Sequence, residues 1–93
     1  MPEQENLSKY KVQLNKLSRN FLDKIDDYTY DKLISKIFSL ELIQRPFGCT
    51  KLSVIDGYRI RWGNYRILYT IDDSSKTVSI FSIDNRKDAY RKK

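Results

Sequence analysis

Three arginines define the chemistry open to this sequence. Arg59, Arg61 and Arg66 lie within Gly57-Tyr58-Arg59-Ile60-Arg61-Trp62-Gly63-Asn64-Tyr65-Arg66-Ile67-Leu68-Tyr69, where aromatic and β-branched residues recur at period two, the pattern of strands with one apolar face. Guanidinium is planar, permanently charged and fork-shaped toward phosphate or carboxylate oxygens, so such a cluster suits anion binding. Gly63-Asn64 fits a two-residue hairpin turn with glycine in the first central position. Counting outward then pairs Trp62 with Tyr65, Ile60 with Ile67 and Tyr58 with Tyr69 on one face. The other face carries the arginines, with Arg61 opposite Arg66. Like charges directly opposite each other across two strands are destabilising, and a bound anion would remove that conflict. The hairpin thus reads as core on one side and a phosphate site on the other.

The remaining elements must cover the apolar side. Residues 1–8 read as a disordered start. Tyr10, Val12 and Leu14 alternate with Lys11 and Gln13, which predicts a short strand. Leu14, Leu17, Phe21 and Ile25, with Leu22 beside them, then recur at helical spacing up to about Asp26-Asp27. A second helix is expected from Tyr28 or Thr29 to Leu42, with Tyr30, Leu33, Ile34, Ile37 and Leu40 or Glu41 on one stripe. Arg45-Pro46 should end it, because the residue before proline is pushed out of the α region. A loop is expected over residues 46–53. Asp72-Asp73-Ser74-Ser75-Lys76 reads as a turn, its aspartates as turn formers rather than metal ligands. Residues 77–83 form a last strand, apolar on both faces and therefore central in the sheet or covered. The tail from Asp84 to Lys93 is short and basic. The expected class is α+β: an N-terminal strand, then a two-helix hairpin packed on one face of a mostly antiparallel four-stranded sheet, in a single domain spanning 1–93.

Composition sets outer bounds. No run of about 18 apolar residues exists, so no membrane span is expected, and the polar, partly acidic start is unlike a secretory signal. Cytoplasmic residence follows as the default. The chain has one cysteine, Cys49, and no histidine. An internal disulfide, a zinc site of the usual Cys/His kind and every imidazole mechanism are thereby excluded. Cys49 reads as a small residue in a turn. Net charge is +6, and residues 1–43 hold seven basic and seven acidic side chains, so the whole excess lies in residues 44–93. A basic, strand-rich half points to a polyanionic partner, nucleic acid or an acidic polypeptide, although a solubilising surface has the same composition.

Three blocks carry a resemblance: Arg45-Pro46-Phe47-Gly48-Cys49-Thr50-Lys51-Leu52, then Asp56 through Tyr69, then Asp84-Asn85-Arg86-Lys87-Asp88-Ala89-Tyr90-Arg91. Together they resemble the signature of the RelE/ParE superfamily of bacterial toxins, the toxin halves of type II toxin-antitoxin pairs, and more closely its RelE branch. The resemblance implies a RelE-like fold and a metal-independent endoribonuclease that cuts mRNA in the ribosomal A site, without cofactor or metal. It also implies a cognate antitoxin, and contact with operator DNA only through the antitoxin complex. Arg61, Arg66, Arg86 and Tyr90 fall at catalytic positions; Arg59, Lys51, Lys87 and Arg91 are assigned to RNA binding.

In the implied reaction the 2′-hydroxyl attacks the adjacent phosphate, leaving a cyclic phosphate and a free 5′-hydroxyl. Arg66 and Arg86 would stabilise the developing charge and Tyr90 would stack on or orient a base. Two positions depart from the pattern. Some RelE-branch enzymes have lysine at the positions of Arg59 and Arg61, and many relatives have histidine where this chain has Asn85, which cannot exchange a proton at neutral pH. Slower catalysis that leans on ribosomal RNA for positioning is the expected consequence. A gyrase inhibitor of the ParE kind and a non-catalytic, antitoxin-binding corepressor are the alternatives.

Overall fold

The computed structural model describes residues 9–86. The expected disordered start and most of the basic tail, with Lys87, Tyr90 and Arg91, lie outside them. The elements run β1 (Lys11–Leu14), α1 (Lys16–Asp23), α2 (Asp27–Ser39), β2 (Thr50–Lys51), β3 (Tyr58–Trp62), β4 (Tyr65–Asp72) and β5 (Thr77–Asn85). The sheet has five strands in the order β1-β5-β4-β3-β2, all antiparallel except the β1–β5 pair. The α+β class stands, and the strand count rises from four to five. The added strand, β2, lies inside the expected 46–53 loop. Two residues are too few to show a period, so only pairing with Tyr58 and Arg59 defines it.

Helix boundaries follow capping. Asn15 accepts the Ser18 N–H at 2.9 Å and starts α1, while its amide donates to the Phe81 carbonyl at 3.0 Å and ties the helix to β5. This entry angle turns Ser18 and Leu22 into the interior and leaves Leu17, expected on the core stripe, 72% exposed. The small Ser18 lets the helix lie close to the sheet. Asp26 caps α2 through the Thr29 N–H, so α1 ends three residues earlier, at Asp23. In α2, Leu33, Ile37 and the C-cap Leu40 are fully buried, whereas Tyr30 lies outside the stripe. The helix stops at Ser39, well before Arg45-Pro46. Gln44 donates its amide to the Leu40 and Glu41 carbonyls, and the Tyr10 N–H bonds Glu41 as well, satisfying helix-end acceptors that another turn would otherwise have used.

The core lies between these helices and the inner sheet face, where Ile60, Ile67, Tyr69, Val78, Ile80 and Ile83 meet Leu22, Leu33, Ile37 and Leu40. Strand β5 pairs on both sides, as its two-faced apolarity requires. Its register against β4 shifts between Leu68 and Tyr69, so Leu68 pairs Ser82 while Tyr69 pairs Ile80. Strict alternation from Ile80 would turn Ser82 inward; the extra residue, Phe81, resets the phase and buries Ile83 instead.

The 72–76 turn is built as its aspartates suggest. Asp72 accepts the Ser74 and Ser75 N–H groups. Asp73 accepts the Tyr10 hydroxyl at 2.7 Å and the Arg45 guanidinium at 3.0 Å, and these two bonds hold its carboxyl below the usual carboxylate range. Among the described residues no helix is long and apolar enough to cross a membrane.

Gly57 joins β2 to β3 where nothing larger fits, since a Cβ there would stand 2.9 Å from the Tyr69 carbonyl oxygen and 3.3 Å from Leu52 Cδ1. Gly57→Ala is therefore expected to cost about 1–3 kcal/mol, the usual cost of overpacking against fixed backbone, measurable as a lower urea midpoint at unchanged slope.

Candidate functional site

The hairpin forms with the expected register: Tyr58 faces Tyr69, Ile60 faces Ile67, Trp62 faces Tyr65 and Arg61 faces Arg66. Gly63 has φ +61° whereas Asn64 has no positive φ, as a turn with glycine at the first central position requires. Aromatic contacts on the inner face fix this register. Trp62 and Tyr65 stack with centroids 6.2 Å apart, Tyr58 and Tyr69 stack at 5.9 Å, and Phe21 and Tyr28 pack against Tyr65 and Trp62 from the helices. The Tyr69 hydroxyl donates to the Gln44 carbonyl at 2.8 Å; burial, then proximity to Cys49, pushes its pKa up and keeps it a neutral donor. Slipping the hairpin by one residue would invert every side chain, so the packed aromatics hold the arginines on the outer face.

On that face the charges are treated unequally. Arg66 Nε donates to Asp84 Oδ1 at 2.8 Å, from the residue directly across on β5. Part of the Arg61–Arg66 conflict is thus relieved within the protein, where the sequence suggested an external anion alone. The bond occupies one edge of the Arg66 fork and leaves its Nη groups uncommitted among the described residues. Arg61 is exposed and has no carboxylate within 4 Å among them. Arg59 is half-buried, and its Nε is a buried donor without an acceptor. A buried, unsatisfied charged donor costs free energy, so Arg59, like the Arg61–Arg66 pair, is not placed for stability alone.

Arg86 joins the group at the hairpin's tip. It follows β5 directly, and its N–H donates to the Asn64 carbonyl at 2.8 Å. Because Tyr65 pairs with Asn85, Arg61, Arg66 and Arg86 come together at one end of the sheet. Lys51 does not join them. It faces Tyr58 across β2 and β3, pairs with Asp56 at 3.1 Å and sits 5.1 Å from the Tyr58 ring centroid, on the side of the strands away from the arginines. Lys87, Tyr90 and Arg91 lie outside the described residues. Asp84 is the member that sequence reasoning missed; its signal was a carboxylate at the end of an apolar strand, meaningful only once the β4–β5 register is known.

The arrangement can grip a phosphodiester: Arg66 is held by a carboxylate, Arg59 and Arg61 carry unmet donors, and a fourth arginine, Arg86, follows the end of β5 beside them. Among the described residues no group of three His, Cys, Asp or Glu side chains could hold a metal ion.

Comparison with known proteins places this geometry in a family context. Residues 12–90 match the family model described as the ParE toxin of a type II toxin-antitoxin system, parDE. Toxin RelG of Mycobacterium tuberculosis is 49% identical over 86 residues, covering 89% of this chain and 98% of that one. The toxin-antitoxin complex RelBE2 of M. tuberculosis matches with a TM-score of 0.75 at 26% identity, over 86% of this chain and 94% of the other. The archaeal RelE-RelB complex of Pyrococcus horikoshii gives 0.76 at 26% identity, over 84% and 96%. The isolated Escherichia coli RelE toxin, at 17% identity and a TM-score of 0.72, shares the fold.

If Asp84 offsets the Arg61–Arg66 repulsion, Asp84→Asn should lower stability by about 0.5–1 kcal/mol, or about 2–8 °C in thermal midpoint at low ionic strength. Inorganic phosphate should restore more of the loss than chloride at equal ionic strength, as read by thermal unfolding in the two salts.

Proposed function

The chain belongs to the RelE/ParE superfamily of type II toxin-antitoxin toxins, and from that premise we propose that it is a ribosome-dependent endoribonuclease that cuts mRNA and so arrests translation. The observation that carries this reading is the gathering of Arg61, Arg66 and Arg86 at one end of the sheet, with Arg66 aimed by Asp84.

The reaction it suits is attack of a ribose 2′-hydroxyl on the neighbouring phosphate, with departure of the 5′-oxygen. Charge accumulates on the non-bridging oxygens in the transition state, and fixed guanidinium groups stabilise it without reorganising. The Arg66 Nη groups and Arg61 grip those oxygens from two paired strands, and Arg86 approaches from the strand end. With no histidine in the chain, rate enhancement rests on charge and alignment rather than on imidazole proton transfer. The ribosome completes the alignment by holding the message, and Tyr90 stacks on or orients a base. Arg59 binds a phosphate beside the scissile one, and Lys87 and Arg91 are further proposed RNA contacts.

A RelB-like antitoxin is the proposed protein partner. RelBE2 of M. tuberculosis and the P. horikoshii RelE-RelB pair are toxin-antitoxin complexes whose toxins share this fold. Contact with operator DNA would then run through the antitoxin, and the site of action is the cytoplasm, where ribosomes translate.

The test is controlled expression of the wild type, Arg66→Ala and Arg86→Ala, followed by mapping of mRNA ends on translating ribosomes. Cuts inside A-site codons that fall at least about 100-fold in each variant are expected, the scale of losing one oriented transition-state contact. Growth arrest with intact messages and an induced DNA-damage response would instead identify a gyrase poison, and absence of toxicity a binding-only protein.

A further inference from the structure

The turn at residues 46–49 presents an aromatic ring that the fold does not use. Phe47 is 107% exposed, more than any other large apolar side chain described, so it contributes nothing to the core. Its neighbours are anchored. The Cys49 N–H donates to the Pro46 carbonyl at 3.0 Å, and Gly48 takes φ +91°, a backbone angle that glycine reaches without strain. Pro46 and Cys49 are half-buried. Just upstream, Arg45 bonds Asp73 and the Tyr58 hydroxyl, and the Gln44 carbonyl accepts the buried Tyr69 hydroxyl. The anchored backbone fixes where the ring is presented, so binding has to order only its two side-chain torsions.

What lies beside the ring identifies its ligand. Phe47, Gly48 and Thr50 form one wall of a cleft of about 450 Å³ at the β3 edge, and Lys36 of α2 and Arg61 also line it. Neither cation has a carboxylate within 4 Å among the described residues, and no acidic side chain lines the cleft. An aromatic face beside two unpaired cations is the combination that binds single-stranded nucleic acid, the ring taking a base and the cations the backbone. A greasy peptide would meet mostly polar and charged walls here. Arg61 belongs to both the cleft and the outer arginine face, so the two are continuous.

We propose that Phe47 is a stacking platform for the nucleobase adjoining the phosphate held by Arg61, with Lys36 binding the following phosphate. This gives the molecule a second RNA contact, on the helix side of the hairpin edge, and makes the turn at residues 46–49 a determinant of how the message is seated. It rests on the nuclease reading above.

The test uses full-length toxin and programmed ribosomes whose A-site codon carries 2-aminopurine on one or the other side of the scissile phosphate. A 2′-O-methyl group on the attacking ribose prevents cleavage during the fluorescence measurement, and an unmodified message reports cleavage separately. Wild type is expected to change the probe's fluorescence at one of the two positions. Phe47→Leu, which keeps apolar surface but removes the π face, should abolish that change and raise the ribosome concentration for half-maximal cleavage about tenfold, with little effect on the limiting rate. Phe47→Trp should preserve both signals. If Phe47→Leu matches wild type in fluorescence and half-maximal concentration while Arg61→Ala is impaired, the inference is overturned and the nuclease reading stands. If Phe47→Leu weakens only antitoxin binding, the ring is a protein contact and the inference is likewise overturned. If wild type leaves ribosome-bound messages uncut, the nuclease reading fails and this inference fails with it.

Discussion

The structure turns on the cross-strand juxtaposition of Arg61 and Arg66. Two guanidinium groups facing each other across an antiparallel pair repel, and nothing in the hairpin itself offsets that. The molecule holds them there by packing the reverse face. Trp62 on Tyr65, Tyr58 on Tyr69 and the helix residues Phe21 and Tyr28 behind them set a register that cannot slip without turning aromatics into solvent. Core packing is thus the source of the charge density on the opposite side. Asp84 then takes part of the load, binding one edge of Arg66 and fixing where the rest of the fork points.

Much of this was legible in the sequence because the hairpin follows elementary rules. Period-two alternation, glycine in the first turn position and counting outward were sufficient for all three inner pairs and for Arg61 opposite Arg66. Strand β5 was legible as central because it is apolar on both faces. The elements that escaped depend on partners distant in the chain. Strand β2 exists only as pairing with β3, and once it exists the face of Lys51 follows, which puts that lysine on the other side of the sheet from the arginines. Leu17 and Tyr30 fitted helical stripes, but the Asn15 and Asp26 caps set the helix starts and rotated both outward. The Arg66–Asp84 bond required the β5 register, including the one-residue shift at Phe81, and no local pattern reveals a bulge of that kind.

The same separation of roles accounts for the charge distribution along the chain. The first half, neutral overall, supplies the helices that bury the inner face. The second half carries the entire +6 excess on the strands and the segment after them. A protein whose core packing and proposed anion site sit on opposite faces of one hairpin can hold destabilising charge at that site, since packing on the other face compensates for it. Relatives with the same fold provide the family setting, and the arginine geometry supplies the chemical argument within it.

The most direct test of that account is the stability of the free protein carrying Arg61→Gln. If the two opposed charges are kept for the proposed RNA phosphate, removing one should raise the thermal midpoint by a few degrees, equivalent to about 0.2–1 kcal/mol, while abolishing the proposed cleavage of ribosome-bound mRNA. A lower midpoint would contradict the account, because Arg61 would then be a stabilising part of the fold rather than a charge kept for its ligand.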